Sequence, residues 1–204
     1  MFFSFDGLDG AGKTTQIELF CQWLRDRGQR VTACRDPGST PLGDAIRAIL
    51  LDRHDLAAGR KAEMLLYMAA RAQLIDEVIR PALDRKEIVV SDRYLLANVV
   101  YQGHAGGLDV ASLWKIGEFV TDGLQPDLTF VLDVPPATAA ARMRRSLDRM
   151  ELQGDEYRLR LRSGFLAEAV RQPDKIVVVN AARTIQEVQA DVRTAAEKIL
   201  KPGG

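Results

Sequence analysis

The sequence is poor in cysteine, and its two thiols, Cys21 and Cys34, form no C-x-x-C pair and have no paired histidines nearby. That pattern suggests neither a zinc site nor a disulfide framework; the two are read as core thiols in a reducing compartment. Charge of one sign is lacking too, because Lys plus Arg and Asp plus Glu number 28 each. With no net positive field, nucleic acid is not an expected partner. No apolar run approaches the ~18 residues of a membrane span, and the N-terminus enters a short apolar run with no basic leader. A cytoplasmic protein with no membrane partner is expected.

What is present is globular material. Apolar residues make up 47% and charged residues 27% of 204 residues, enough for one core, and a single domain over 1–204 is expected. Short apolar runs at Phe2 to Phe5, Val31 to Cys34, Ile88 to Ser91, Leu128 to Val134 and Lys175 to Val179 alternate with helix-periodic stretches. This alternation predicts an α/β fold with a mainly parallel sheet. Ile17, Phe20, Cys21 and Leu24 mark the first helix, and Gly28 its stop. Leu42, Ala45, Ile46 and Ile49 mark a second helix after Pro41. Ala62, Leu65, Leu66, Ala69 and Ala72 mark a third, for which Pro81 predicts a break or kink. Val110 to Val120 and Ile185 to Ile199 carry two more. Arg142 to Arg162 holds seven arginines with acids interleaved, which in isolation reads as a charged, solvated helix pair.

Between the first strand and the first helix lies Gly7-Leu-Asp-Gly-Ala-Gly-Lys-Thr14, a full match to G-x-x-x-x-G-K-[ST]. Gly7, Gly10 and Gly12, with Ala11, let the backbone turn its N–H groups inward around phosphates. Lys13 reaches the β and γ phosphates, Thr14 offers a hydroxyl to Mg²⁺, and Thr15 follows on the helix. Asp9 is unexpected among phosphate-binding donors. It should point away, to a sugar hydroxyl, to an arginine of a covering lid, or into its own Asx-turn. The chain lacks any Asn-Lys pair to read guanine, and Asp133 is followed by Val-Pro-Pro rather than x-x-Gly, so a switch GTPase is a poor reading. Phosphoryl transfer to a small acceptor fits better. Ser91-Asp92-Arg93-Tyr94 sets an acid and a base at the end of a strand, where open α/β sheets bind ligands. Arg93 can fork onto an acceptor phosphate; Asp92 can hold the metal's water or orient Arg93.

Six segments in order carry a resemblance over nearly the whole chain: GLDGAGKTT, RDPGSTPLG (35–43), LLYMAARAQL (65–74), SDRYLLANVVYQG (91–103), QPDLTFVLDV (125–134) and LDRME (147–151). Together they resemble the thymidylate kinase family of nucleoside monophosphate kinases. The resemblance implies a P-loop three-layer α/β/α fold with a five-stranded parallel sheet, and ATP-dependent, Mg²⁺-assisted phosphorylation of dTMP to dTDP. It also implies a homodimer. Tyr67 takes the place of the ring that stacks on thymine, Arg71 that of the arginine bonding the base, Asn98 that of the side chain reading the thymine edge. Arg93 takes that of the acceptor-phosphate arginine, Tyr101 that of the ring crowding the sugar 2′ position, with Gln102 beside it. Asp36 replaces a glutamate of many relatives near the metal and acceptor. Because Gly10-Ala11 supplies no arginine, the resemblance assigns the catalytic arginines to a lid at about 143–156, namely Arg144, Arg145 and Arg149. Arg142 is expected on adenine, and the loop from Asn180 to Arg183, with Ala182, beside it. Ala97 departs from the serine common at its position. The alternatives that stay open are a kinase for another nucleotide or a deoxynucleoside, and a nucleotide-binding regulatory protein with weakened catalysis.

Overall fold

The structure, a computed structural model, describes residues 1–53, 55–56, 58–142 and 154–200. Five parallel strands are ordered β2-β3-β1-β4-β5: β1 (Phe2–Gly7), β2 (Val31–Arg35), β3 (Ile88–Asp92), β4 (Leu128–Asp133) and β5 (Ile176–Asn180). Each lies within one or two residues of its sequence expectation. The central strands β1, β3 and β4 are buried along nearly their whole length, which only a sheet covered on both faces satisfies.

Alternation along β1 divides the core. Phe3 and Phe5, with Phe130 of β4, meet Phe20 of α1 (Lys13–Asp26) at ring-centroid distances of 5.2, 5.5 and 5.8 Å. Phe2 packs edge-on at 5.0 Å against Tyr94. Burying a ring the size of Phe20 contributes about 3 kcal/mol. The remaining helices are α2 (Pro41–Leu51), α3 (Arg60–Leu74), α4 (Arg80–Asp84), α5 (Leu95–Asn98), α6 (Val110–Thr121), α7 (Pro136–Arg142), α8 (Gly154–Arg171) and α9 (Ile185–Glu197). Local chemistry starts several of them. Thr40 caps α2 by accepting from Gly43 N at 2.9 Å, with Pro41 in the first turn, and Thr184 with Glu187 forms a capping box on α9.

The irregularity expected at Pro81 falls just ahead of it, and the helix does not stop there. It widens into a π turn over Ile75–Ile79, with Arg80 N bonding Ile75 O, and resumes as α4 with Pro81 in its first turn. The i→i+5 spacing re-registers the bonds just where the proline N–H is missing. Of the apolar positions that mark α2 and α3, Ile46 is buried and Leu66 packs against the core, but several others face outward. Gly43, Ile46 and Leu50 face inward on α2, whereas Leu42, Ala45 and Ile49 are exposed. On α3 the buried stripe is Met64, Met68, Ala70, Arg71 and Leu74, whereas Ala62, Leu65 and Ala69 face outward. Both helices carry apolar residues on more than one side, so periodicity marks the helix without fixing which side is buried.

Candidate active site

All five strands point the same way, so their C-terminal ends share one edge, and the glycine loop and the loop after β3 emerge there side by side. At Gly7 the backbone approaches β4 so closely that a Cβ would lie 2.6 Å from Leu132 O. At Gly10, with φ +83°, a Cβ would lie 2.2 Å from Ala139 O. Neither position admits a side chain. Gly12 ends the turn with φ 91°, and α1 starts with no side-chain cap, leaving first-turn N–H groups for an anion.

The loop opens on a cavity of about 930 Å³. Asp9, Gly10, Ala11, Gly12, Lys13, Thr14 and Thr15 line it, with Asp92, Arg93 and Arg142. Gly7 does not; its carbonyl instead accepts from Lys13 Nζ at 3.2 Å and Arg93 Nη1 at 3.2 Å. Ala181 and Arg183 line the far wall, while Ala182 does not, its N–H donating to Asn180 Oδ1 at 3.0 Å. Arg142 Nη1 donates to Ala181 O at 2.9 Å, which holds the end of α7 against that wall. Ile185 and Val188 add an apolar patch that sequence reasoning missed.

A second, smaller cavity adjoins the first, and Asp9, Asp36, Arg47 and Arg93 line both. Its walls bring together Tyr67, Arg71, Asn98, Tyr101 and Gln102, from segments up to 93 residues from Asp9 in sequence. Ala97, Pro37, Leu51 and Arg47 complete them. Arg47, missed in the sequence, sits one position past the buried Ile46; its guanidinium donates to Pro37 O at 3.1 Å.

Asp9 joins the two cavities. Its Oδ1 lies 2.5 Å from Arg93 Nη2 and 3.4 Å from Lys13 Nζ, and its Oδ2 accepts from Tyr101 Oη at 3.3 Å. Its partner is therefore the arginine of the β3 loop. Burial works against the Asp9 charge, but Arg93 and then Lys13 outweigh it and hold the carboxyl well below the usual range. Arg93 itself takes φ 71°, the left-handed region, which costs a residue with a Cβ about 1–3 kcal/mol. Arg93 N bonding Phe5 O at 2.9 Å and Ser91 Oγ bonding Arg93 O at 2.6 Å hold it there. The strained turn aims the guanidinium back across the sheet edge, over the Tyr101 ring at 5.0 Å.

Beneath the smaller cavity runs a buried polar relay. Arg71 Nε bonds Asp36 Oδ2 at 2.6 Å and Nη1 bonds Asn98 Oδ1 at 3.1 Å. Asn98 Nδ2 donates to Gln102 Oε1 at 2.6 Å, and Gln102 Nε2 to Glu63 Oε1 at 3.0 Å. A second π turn, Val99–Ala105, carries Tyr101 and Gln102 to the cavity together. Nothing in the sequence signalled Glu63 or the π turn.

The matching family model, described as thymidylate kinase, spans residues 5–192. The chain belongs to the thymidylate kinase family. A thymidylate kinase of Symbiobacterium thermophilum is 42% identical over 98% of this chain and 94% of its own length, and one of Rhodopirellula baltica 44% identical over 90% and 74%. The crystal structure of the thymidylate kinase from Ehrlichia chaffeensis superimposes with a TM-score of 0.78 at 29% identity, covering 96% of this chain and 98% of that one. The α/β architecture is thus that of a thymidylate kinase.

Thymidylate kinases, as kinases generally, imply a magnesium ion, and the donor set here suits one. Asp92 lines the larger cavity, and its Oδ1 is buried without a hydrogen-bond partner among the described residues, near the exposed first turn bearing Thr14. No group of three or more His, Cys, Asp and Glu side chains is placed to hold a metal among those residues. One or two protein oxygens are what Mg²⁺ takes when phosphates and waters supply the rest. Arg162, in contrast, is occupied elsewhere, forking onto Asp133 at 2.6 and 2.8 Å. Arg144, Arg145 and Arg149, and most of the expected lid, lie outside the described residues.

Behind the loop, Asp6 is fully buried and neither oxygen has a hydrogen-bond partner among the described residues. Burial pushes it up to about 7, although Arg93 and Lys13 pull the other way. From about pH 4 to 7 the folded chain therefore keeps a proton that the unfolded chain has released, and this group's contribution to stability falls as pH rises. The expected result is that Asp6→Asn changes the melting temperature more favourably at pH 8 than at pH 5, by an amount equivalent to at most about 3 kcal/mol. Parallel melts of both proteins across that range check it; a constant difference would refute it.

Proposed function

We propose that this thymidylate kinase transfers the γ-phosphoryl group of ATP to the 5′-phosphate of dTMP, giving ADP and dTDP, with the site residues in the following roles. The observation that carries the assignment is the pair of cavities meeting at Asp9 and Arg93. The larger holds ATP: loop amides and Lys13 take the phosphates, Arg142 and the loop after β5 the adenine. The smaller holds dTMP: Arg93 takes its phosphate, Tyr67 stacks on thymine, Arg71 and Asn98 read the base, and Tyr101 limits the sugar. Asp9 orients Arg93 and the sugar.

The acceptor phosphate already presents an anionic oxygen, so no general base is required, and catalysis reduces to alignment and charge neutralisation. Arg93 and Lys13 supply fixed positive charge on either side of the transferred group. Arg144, Arg145 and Arg149 supply the rest and exclude water. Thr14 and Asp92 would hold Mg²⁺, which would supply neutralisation of phosphate charge. A coupled ADP-release assay against nucleoside monophosphates and thymidine tests the reading. dTMP should be the best acceptor; phosphorylation of thymidine instead, or activity with none, would overturn it.

A homodimer in the cytoplasm completes the proposal. No described helix is long and apolar enough to cross a membrane. Leu42 and Ile49 on α2, Leu65 on α3 and Phe119 on α6 are exposed, Phe119 by 84%, on helices where α3 packs against both α2 and α6. Exposed apolar side chains gathered on neighbouring helices suit a partner copy. Sedimentation should give a dimer for the unaltered chain and a monomer for Leu65→Glu/Phe119→Glu; a monomeric unaltered chain would refute this.

A further inference from the structure

The relay under the acceptor cavity has a direction. Arg71 owns only N–H donors, so it meets Asn98 through the amide oxygen, at 3.1 Å. Asn98 must then turn its NH₂ group to Gln102, and it donates to Oε1 at 2.6 Å. Gln102 must in turn point its own NH₂ group the other way, where Glu63 Oε1 receives it at 3.0 Å. A carboxylate is an acceptor only. The two amides are therefore trapped between an obligate donor and an obligate acceptor, and each has one orientation. Asn98 and Gln102 are 2% and 3% exposed, so water does not readily replace a misdirected partner.

The orientation decides what the cavity offers a base. The protein engages four of Arg71's five N–H groups, through Asp36, Asn98, Met68 Sδ and Tyr94 O, leaving one donor. Asn98 Oδ1 keeps one lone pair as an acceptor. A donor beside an acceptor complements thymine and uracil, which present a carbonyl O4 next to N3–H. It opposes cytosine, which presents an NH₂ group next to a bare N3. Were Asn98 turned over, its NH₂ group would replace the acceptor and the preference would weaken.

We propose that Glu63, at the far end of this relay, is a positioning residue that sets acceptor-base specificity by locking Gln102, and through it Asn98, in the orientation that selects a pyrimidine with N3–H and O4. It rests on the dTMP kinase reading and adds to it a residue that need not touch the substrate.

The test compares kcat/KM for dTMP, dUMP and dCMP in the unaltered enzyme, Glu63→Gln and Glu63→Ala. Glutamine keeps the shape but can donate as well as accept, and alanine removes the acceptor. In both variants the dTMP to dCMP ratio should fall about tenfold, in line with one misdirected buried hydrogen bond. The dTMP to dUMP ratio should stay unchanged, because those two bases share the edge. KM for ATP should not move. An unchanged dTMP to dCMP ratio in Glu63→Gln, or an equal loss on all three acceptors, would overturn the proposal, the second outcome marking a merely structural role. Failure of the unaltered enzyme to use dTMP would instead refute the underlying function, so the two failures are distinct.

Discussion

Replacing Arg93 with alanine should lower kcat/KM for dTMP by about 10²–10³, with a raised KM for dTMP and a lower kcat, while KM for ATP changes little. The smaller cavity's walls carry other cations, but among its described lining Arg93 is the one that both lies 2.5 Å from Asp9 and reaches the glycine loop through Gly7 O. Alanine retains a Cβ and hence the cost of φ 71°, so the comparison reports the guanidinium and not relief of backbone strain. Lysine should rescue poorly, because a single ammonium cannot make the fork that spans Asp9, Gly7 O and an acceptor phosphate. Steady-state kinetics in both substrates check this. An equal loss of ATP affinity would move Arg93 from the acceptor to the donor side.

Replacing Arg71 should instead be felt first in stability. The Arg71 and Asp36 side chains are 2% and 0% exposed; Arg71 bonds Asp36 Oδ2, and Oδ1 has no hydrogen-bond partner among the described residues. Removing the guanidinium strands a buried carboxylate, for which a loss of about 3–5 kcal/mol is expected. For a chain of this length that lowers the melting temperature by about 6–20 °C. Arg71→Met is the informative variant, since it keeps much of the volume. Adding Asp36→Asn should recover a large part of the lost stability, because the stranded charge is gone, while dTMP binding stays impaired. A double variant no more stable than Arg71→Met would show that packing, not charge pairing, is what Arg71 supplies.

The two experiments separate residues that the sequence placed in the same list. Arg71 was legible as a base-reading arginine through the resemblance of LLYMAARAQL to the family's segment. Its role as the buried counter-ion of Asp36, 35 positions earlier, was not legible, because a salt bridge between α3 and the end of β2 exists only once the sheet is assembled. Asp9 shows the same divide. Its charge among phosphate donors marked it as a residue needing a partner, but the choice between a sugar, a lid arginine and its own loop required the coordinates, which supply Arg93 and Tyr101. On α2 and α3 the periodicity marked the helices but not their buried sides: Ile46 is buried, whereas Leu42, Ile49 and Leu65 are exposed.

What the sequence determined by itself was local or short-range. Runs of apolar residues too short for helices marked the five strands, the glycine loop pointed to a phosphate site, and six ordered segments pointed to the family. These follow from side-chain period, backbone freedom at glycine and fixed spacing, all properties of neighbours along the chain. Only the tertiary structure decided that two cavities meet at Asp9 and Arg93, that Glu63 closes a relay begun at Asp36, and that a π turn brings Tyr101 and Gln102 to one wall. Hydrogen-bond direction and charge pairing depend on distances between residues far apart in sequence, and those distances are set by how the sheet and its helices pack.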